Sequence, residues 1–148
     1  MDDSRDVQNL KQLLADMRSK NFISIIPKVD KIGELDGGEL KTLTLEELAI
    51  SKIPKEISKL DNLSELNLHK NYLVSFPASV DILEKLEILD LSNNKIEFLP
   101  QNIGNMKSLN QLYLNSNRLT ELPNHFINVQ TLKFLDLGLN RLVELPEY

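Results

Sequence analysis

Leucine returns at a fixed interval along this chain. The segments LKTLTL, LSELNL, LEILDL, LNQLYL and LKFLDL open at Leu40, Leu63, Leu86, Leu109 and Leu132, 23 residues apart each time, so residues 40–148 divide into five copies of one unit. Counted from its first leucine, the third copy places apolar residues at positions 1, 4, 6, 11, 14, 18 and 21: Leu86, Leu89, Leu91, Ile96, Leu99, Ile103 and Met106. Positions 4 and 6 alternate with 3, 5 and 7, the period of a half-buried strand, which predicts one short strand per copy with its odd positions facing outward. A proline follows position 14 in each copy (Pro54, Pro77, Pro100, Pro123, Pro146). The apolar residues after it (Ile57 and Leu60, Val80 and Leu83, Ile103 and Met106, Phe126 and Val129) stand three apart. That is the spacing of a helical turn, opened by a proline whose missing N–H would be unpaired there anyway. Each copy reads as strand, turn and short helical return, and stacking sets parallel strands about 4.8 Å apart.

Position 9 carries Asn71, Asn94, Asn117 and Asn140. At a strand end the chain turns and leaves backbone groups that the sheet ladder does not reach, and an inward amide supplies both donors and an acceptor for them. The column predicts a structural asparagine ladder rather than a row of ligand-binding amides. The first copy has Leu48 at this position, which predicts packing against something that precedes the array.

The pattern LxxLxLxxNxLxxLPxxaxxLxx in 23-residue copies resembles the leucine-rich repeats. Its leucine-proline pair is similar to the intracellular Ras-group class, found in Ras suppressor protein, Scribble and Erbin. The resemblance implies an α/β leucine-rich-repeat solenoid: a curved parallel sheet on the concave face, short helical or 3-10 turns on the convex face, and partner choice set by exposed strand residues. The function it implies is a non-enzymatic scaffold for protein partners in intracellular signalling, with a small GTPase, a phosphatase or a polarity complex as the partner class. The alternative is the non-catalytic recognition arm of a larger enzyme, such as a ubiquitin ligase, a kinase or a nucleotide-handling protein.

Residues 1–39 read as an α-helical cap. Val7, Leu10, Leu14 and Met17 recur at three and four, an amphipathic helix, and Phe22, Ile23, Ile25, Ile26, Val29 and Ile32 add apolar matter around Pro27. Gly37-Gly38 then leads into the first strand. Core cover is one reading of this segment and a detachable partner-binding helix the other. At the far end the sequence stops at Pro146-Glu147-Tyr148, before positions 18 and 21 of the fifth copy. An uncovered terminal coil points either to an excerpt or isoform of a longer protein or to an edge that meets a partner.

Composition narrows the function classes. The 148 residues fit one domain with 41% hydrophobic and 26% charged residues, an ordinary globular balance. The start MDDSRD is acidic, unlike a secretory signal, and no apolar run approaches a membrane span. The absence of cysteine removes disulfides and thiolate chemistry and suits a reducing compartment, here read as cytoplasmic or nuclear. A net charge of −5, spread along the chain, argues against nucleic acid and anionic membranes as partners.

Catalytic patterns are weak. His69 and Ser92 share position 7 of adjacent copies, with Asp90 two residues before Ser92, but a hydrolase also needs an oxyanion hole and a water-excluding pocket. Asp90 and Asp136 share position 5 with Tyr113 between them, yet an open sheet offers no cleft for glycosidase chemistry. His69 and His125 fall on different faces, so no metal site forms, and no GxxxxGK[ST] or GxGxxG loop exists. No cofactor is expected.

The outward columns carry the information. Position 3 holds Thr42, Glu65, Ile88, Gln111 and Phe134; position 5 holds Thr44, Asn67, Asp90, Tyr113 and Asp136; position 7 holds Glu46, His69, Ser92, Asn115 and Gly138. Ile88, Tyr113 and Phe134 lie on three consecutive strands with Leu139 beside them, ringed by Glu65, Glu87, Asp90 and Asp136. An apolar centre with a charged rim is the anatomy of a protein interface, although isolated surface apolars are common. The cations Lys95, Arg118 and Arg141 at position 10 form a second row, at the edge where strands end, near Glu97, Glu121 and Glu144.

Overall fold

The computed structural model describes residues 4–25, 27–28 and 32–145. Helix α1 (Arg5–Ser19) is followed by six strands: β1 (Gly33–Asp36), β2 (Glu39–Thr44), β3 (Glu65–Asn67), β4 (Ile88–Asp90), β5 (Gln111–Tyr113) and β6 (Phe134–Asp136). They form one sheet in sequence order, antiparallel between β1 and β2 and parallel from β2 onward. The register joins equivalent repeat positions, with Leu43, Leu66, Leu89, Leu112 and Leu135 aligned across the sheet. This is the stacking that the 23-residue period requires.

The apolar columns build a continuous core. Leu43, Leu45, Leu66, Leu68, Leu89, Leu91, Leu112 and Leu114 are fully buried, each contributing roughly 1.5–3 kcal/mol of burial free energy. On the opposite side the returns are 3-10 helices at Lys55–Lys59, Ala78–Ile82, Gln101–Asn105 and Asn124–Asn128. Each opens on its proline. The carbonyls of Pro54, Pro77, Pro100 and Pro123 accept from Ile57, Val80, Ile103 and Phe126, three residues on. A three-residue period makes position 18 point inward and position 21 follow it. In the fifth repeat Leu132, Leu135, Leu137 and Leu142 are only partly buried.

The N-terminal cover is more than the helix expected for residues 1–39. Ser4 caps α1 by accepting from Val7 N at 3.4 Å, and Leu10, Leu13, Leu14 and Met17 pack into the core. Asp6 is buried in the first turn, and its Oδ2 accepts from Leu40 N at 2.9 Å and Asn62 Nδ2 at 3.1 Å. A carboxylate from the helix thus satisfies the opening of β2 and fastens the cover to both ends of the first repeat. Strand β1 is the addition. Glycine, glutamate and aspartate are poor strand formers, but Gly37 and Gly38, at φ 57° and 82°, make the two-residue turn that folds β1 back onto β2. The exposed charges of Glu34 and Asp36 then occupy the outer edge of the sheet. Among the apolar residues expected around Pro27, Ile23 and Ile32 are buried and Phe22 is half-buried, while Ile25 is 72% exposed and does not join the core. Ile26 and Val29 lie outside the described residues, as do Pro146, Glu147 and Tyr148.

Candidate functional site

The ends of the strands are held by position 9. Asn94 Oδ1 accepts from Leu73 N at 3.0 Å, and its Nδ2 donates to Leu68 O, Leu91 O and Ser92 O at 3.0–3.1 Å. Asn71, Asn117 and Asn140 repeat this arrangement one coil earlier and one and two coils later. Two amides meet at the position-6 carbonyls of the three inner repeats: Leu68 O accepts from Asn71 and Asn94, Leu91 O from Asn94 and Asn117, and Leu114 O from Asn117 and Asn140. Where the first repeat has Leu48, Asn71 carries more. Its Oδ1 accepts from both Leu48 N and Ile50 N, at 3.2 and 2.9 Å, and its Nδ2 donates to Leu45 O at 2.7 Å.

One position earlier the backbone turns left-handed. Glu47, Lys70, Asn93, Ser116 and Leu139 have φ between 51° and 58°. Five residues of unrelated chemistry share this conformation, so no sequence pattern announced it. Leu139 is also 83% exposed. Lys70 Nζ donates to Glu47 Oε1 at 2.8 Å, which lowers the Glu47 carboxyl and raises the Lys70 ammonium from their ordinary pKa values.

The outward face follows from the register. Glu65, Ile88, Gln111 and Phe134 form one row and Asn67, Asp90, Tyr113 and Asp136 the next. Position 5 has a local role as well: Asn67, Asp90 and Asp136 accept through Oδ1 from the backbone N–H two residues on, in His69, Ser92 and Gly138, at 2.8–2.9 Å. Tyr113 breaks that pattern. Its ring centroid lies 4.9 Å from that of Phe134 with a 39° tilt, and its hydroxyl donates to Gln111 Oε1 at 3.0 Å. Phe134 remains 45% exposed. Two aromatic rings therefore stack across β5 and β6 on the outside of the sheet, with half-buried Ile88 one strand further along. Asn115 is half-buried at position 7, and Leu139 stands just beyond the strand end.

His69 and Ser92 do meet, but in the wrong order for a nucleophile. Ser92 Oγ donates its single proton to Asp90 Oδ1 at 2.5 Å, so it accepts from His69 Nδ1–H at 2.7 Å. In a hydrolytic triad the hydroxyl donates to the imidazole, which is the base. Here the imidazole is the donor, and Ser92 is buried at 4% exposure, out of reach of a substrate. Asp90 and Asp136 flank Tyr113 in register on the outward face, two strands apart. His125 sits on the Asn124–Asn128 return, and among the described residues no three metal-ligating side chains converge.

The position-10 row is partly engaged. Lys95 Nζ lies 4.5 Å from the Tyr72 ring centroid, Arg118 Nη1 approaches Glu97 Oε1 at 4.0 Å, and Arg141 is exposed. With Tyr72, Val74 and Phe98 also exposed, a second apolar surface emerges outside the position-3, position-5 and position-7 columns. Tyr72 standing where later copies have a cation was the available signal. Across the convex side an open groove of about 660 Å³ is lined by Asp81, Glu84, Asn105, Lys107, Gln130 and Thr131.

Comparison with known proteins agrees with the architecture. The family model described as a leucine-rich repeat region matches residues 27–118, and a second model, leucine rich repeat, matches residues 108–129. No curated protein matches the chain. Among solved structures, the BIR2 ectodomain from Arabidopsis thaliana superposes with a TM-score of 0.74 at 24% identity, over 97% of this chain and 82% of that one. A chain of the BIR3–SERK2 complex from the same plant gives a TM-score of 0.69 at 25% identity, over 95% of this chain and 81% of that one. A leucine-rich-repeat protein of Leptospira interrogans gives 0.50 at 34% identity, over 72% of this chain and 34% of that one.

Proposed function

Because the chain belongs to the leucine-rich-repeat family, we propose that it is a non-enzymatic module that binds a protein partner on the outward face of its sheet. The observation that carries this is the Tyr113–Phe134 pair. The fold does not require it: neither ring points into the leucine core, and the position-5 role that Asn67, Asp90 and Asp136 perform for the backbone is given up at Tyr113. Large aromatic side chains on an exposed, strand-supported face are typical anchors of protein interfaces. The BIR3–SERK2 relative is itself solved as a complex. The finer reading is an intracellular scaffold of the Ras-group class, acting in the cytoplasm beside a small GTPase, a phosphatase or a polarity complex. The absence of cysteine and the proline after position 14 support it.

The test is capture by the immobilised chain from lysate, quantified for single variants with unchanged melting. Tyr113→Ala and Phe134→Ala should each weaken capture by about 2 kcal/mol, the cost of losing a central aromatic anchor. Lys107→Ala, on the convex groove, should leave capture unchanged. A catalytic module would instead lose an activity in Ser92→Ala and His69→Ala while binding persisted. Undiminished capture by both aromatic variants would remove the site from this face.

A further inference from the structure

Resting on that reading of the face, we infer the chemistry of its partner: an extended segment with two cationic residues three apart, arginine above all. The fifteen outward residues at positions 3, 5 and 7 include Glu46, Glu65, Asp90 and Asp136 and neither lysine nor arginine, in a chain with 17 basic residues. Cations stand at the margins, Lys41 and Lys133 at position 2 and Lys95, Arg118 and Arg141 at position 10. The sheet face itself is acidic. Its carboxylates are also available. Asp90 and Asp136 engage the backbone through Oδ1 alone, and neither their Oδ2 atoms nor the Glu65 carboxylate takes a hydrogen bond from a described residue.

The aromatic pair supplies the second requirement. Tyr113 lies in register between Asp90 and Asp136, so a chain crossing from one carboxylate to the other passes over the Tyr113–Phe134 stack. Aromatic faces attract guanidinium groups, and a carboxylate beside the ring adds a charge-assisted hydrogen bond. The spacing follows from strand geometry. Two strand intervals set Asp90 and Asp136 about 10 Å apart. An extended polyproline-II segment returns to the same face every third residue, after about 9.3 Å. Cations at i and i+3 therefore meet the two carboxylates together, with the residues between them over the rings.

The probe is a fluorescein-labelled decapeptide of glycine and serine with arginine at its fourth and seventh positions. Companion peptides carry glutamine or glutamate at those positions, or the two arginines side by side. Binding is read by anisotropy against the whole chain, and mapped by amide shifts. The Arg peptide should bind with shifts confined to β4–β6, and more weakly as salt rises. The double variant Asp90→Asn with Asp136→Asn should weaken it about tenfold or more, as loss of complementary charge predicts. That variant keeps the fold, since Asn67 already makes the same turn at position 5. Equal binding of the glutamine or glutamate peptide with shifts at Tyr113 and Phe134 would overturn the cationic class yet leave the face as the interface. Equal binding of the adjacent-arginine peptide would overturn the spacing. An Arg peptide that fails to bind, or binds the double variant unchanged, overturns the inference. Capture that survives Tyr113→Ala and Phe134→Ala overturns the underlying reading whatever the peptides do.

Discussion

Replacing Asn71 by alanine should cost about twice what the same change costs at Asn94. In Asn94→Ala every carbonyl keeps a partner: Leu68 O retains Asn71, Leu91 O retains Asn117, and Ser92 O retains Lys70 N. Only Leu73 N, fully buried, loses its acceptor. A buried donor left unpaired costs roughly 1–3 kcal/mol, so about 2 kcal/mol is expected. In Asn71→Ala, Leu68 O and His69 O retain Asn94 Nδ2 and Glu47 N, but Leu48 N, Ile50 N and Leu45 O are orphaned together. Leu45 and Ile50 are fully buried, while Leu48 is half-buried and water reaches it more easily. Two full penalties and a reduced third give about 4–5 kcal/mol. Asn93→Ala is the control at the neighbouring position. It touches no ladder bond, but places alanine at φ 53°, a left-handed conformation costing about 1 kcal/mol. With a urea slope of about 2 kcal/mol/M, the midpoints should fall by roughly 2, 1 and 0.5 M for Asn71, Asn94 and Asn93. Urea titration followed by far-UV circular dichroism reads all three, provided the slopes match the parent. Coincident midpoints for Asn71→Ala and Asn94→Ala would refute the carbonyl sharing on which the ranking rests.

Further outcomes follow from other contacts. A Cβ on Gly104 would sit 2.2 Å from the His125 carbonyl oxygen, so Gly104→Ala must push two returns apart and should destabilise by about 1–3 kcal/mol. Ser58→Ala, at the same repeat position, should leave the melting temperature in place. Leu139→Asn relieves a branched side chain held at φ 55° and should raise the urea midpoint by an amount equivalent to about 0.5–1 kcal/mol; an unchanged or lower midpoint would show that Leu139 is not strained there. Glu47 should titrate below an ordinary carboxylate by NMR and move back up in Lys70→Ala or high salt, because the Lys70 hydrogen bond is the main cause of its shift. Its small stabilising contribution is present above the unfolded-state pKa and is lost as pH falls through the lower folded-state value.

What the sequence revealed depended on whether a feature repeats. The leucine and asparagine columns recur every 23 residues, and that period alone assigns Leu89 and Asn94 to the inward face. Strand β1 does not recur, and its residues Gly33, Glu34, Leu35 and Asp36 have weak strand preference; a turn at Gly37-Gly38 and an open neighbour make it a strand. The left-handed position is common to Lys70, Asn93, Ser116 and Leu139, but it is imposed by the turn and tolerated by the side chains, so composition hid it. The outward face was half legible. Columns placed Tyr113 beside Phe134, while the direction of the Ser92 proton, which separates a hydrogen-bond bridge from a nucleophile, needed the distances to Asp90 and His69.

The doubly shared carbonyls also bear on how an array of this kind can change length over generations. A coil duplicated or deleted in the middle brings or removes one asparagine and one position-6 carbonyl together, so the coils on either side find the same partners as before. The first coil is different. Leu48 leaves Leu45 O with the next coil's Asn71 as its one amide partner and its own N–H on the same side chain, and Asp6 of the helix completes the opening of β2. Unequal recombination can therefore insert whole units at any interior joint without leaving a polar group stranded, whereas the joint between the helix and the first two coils must be inherited as a single piece.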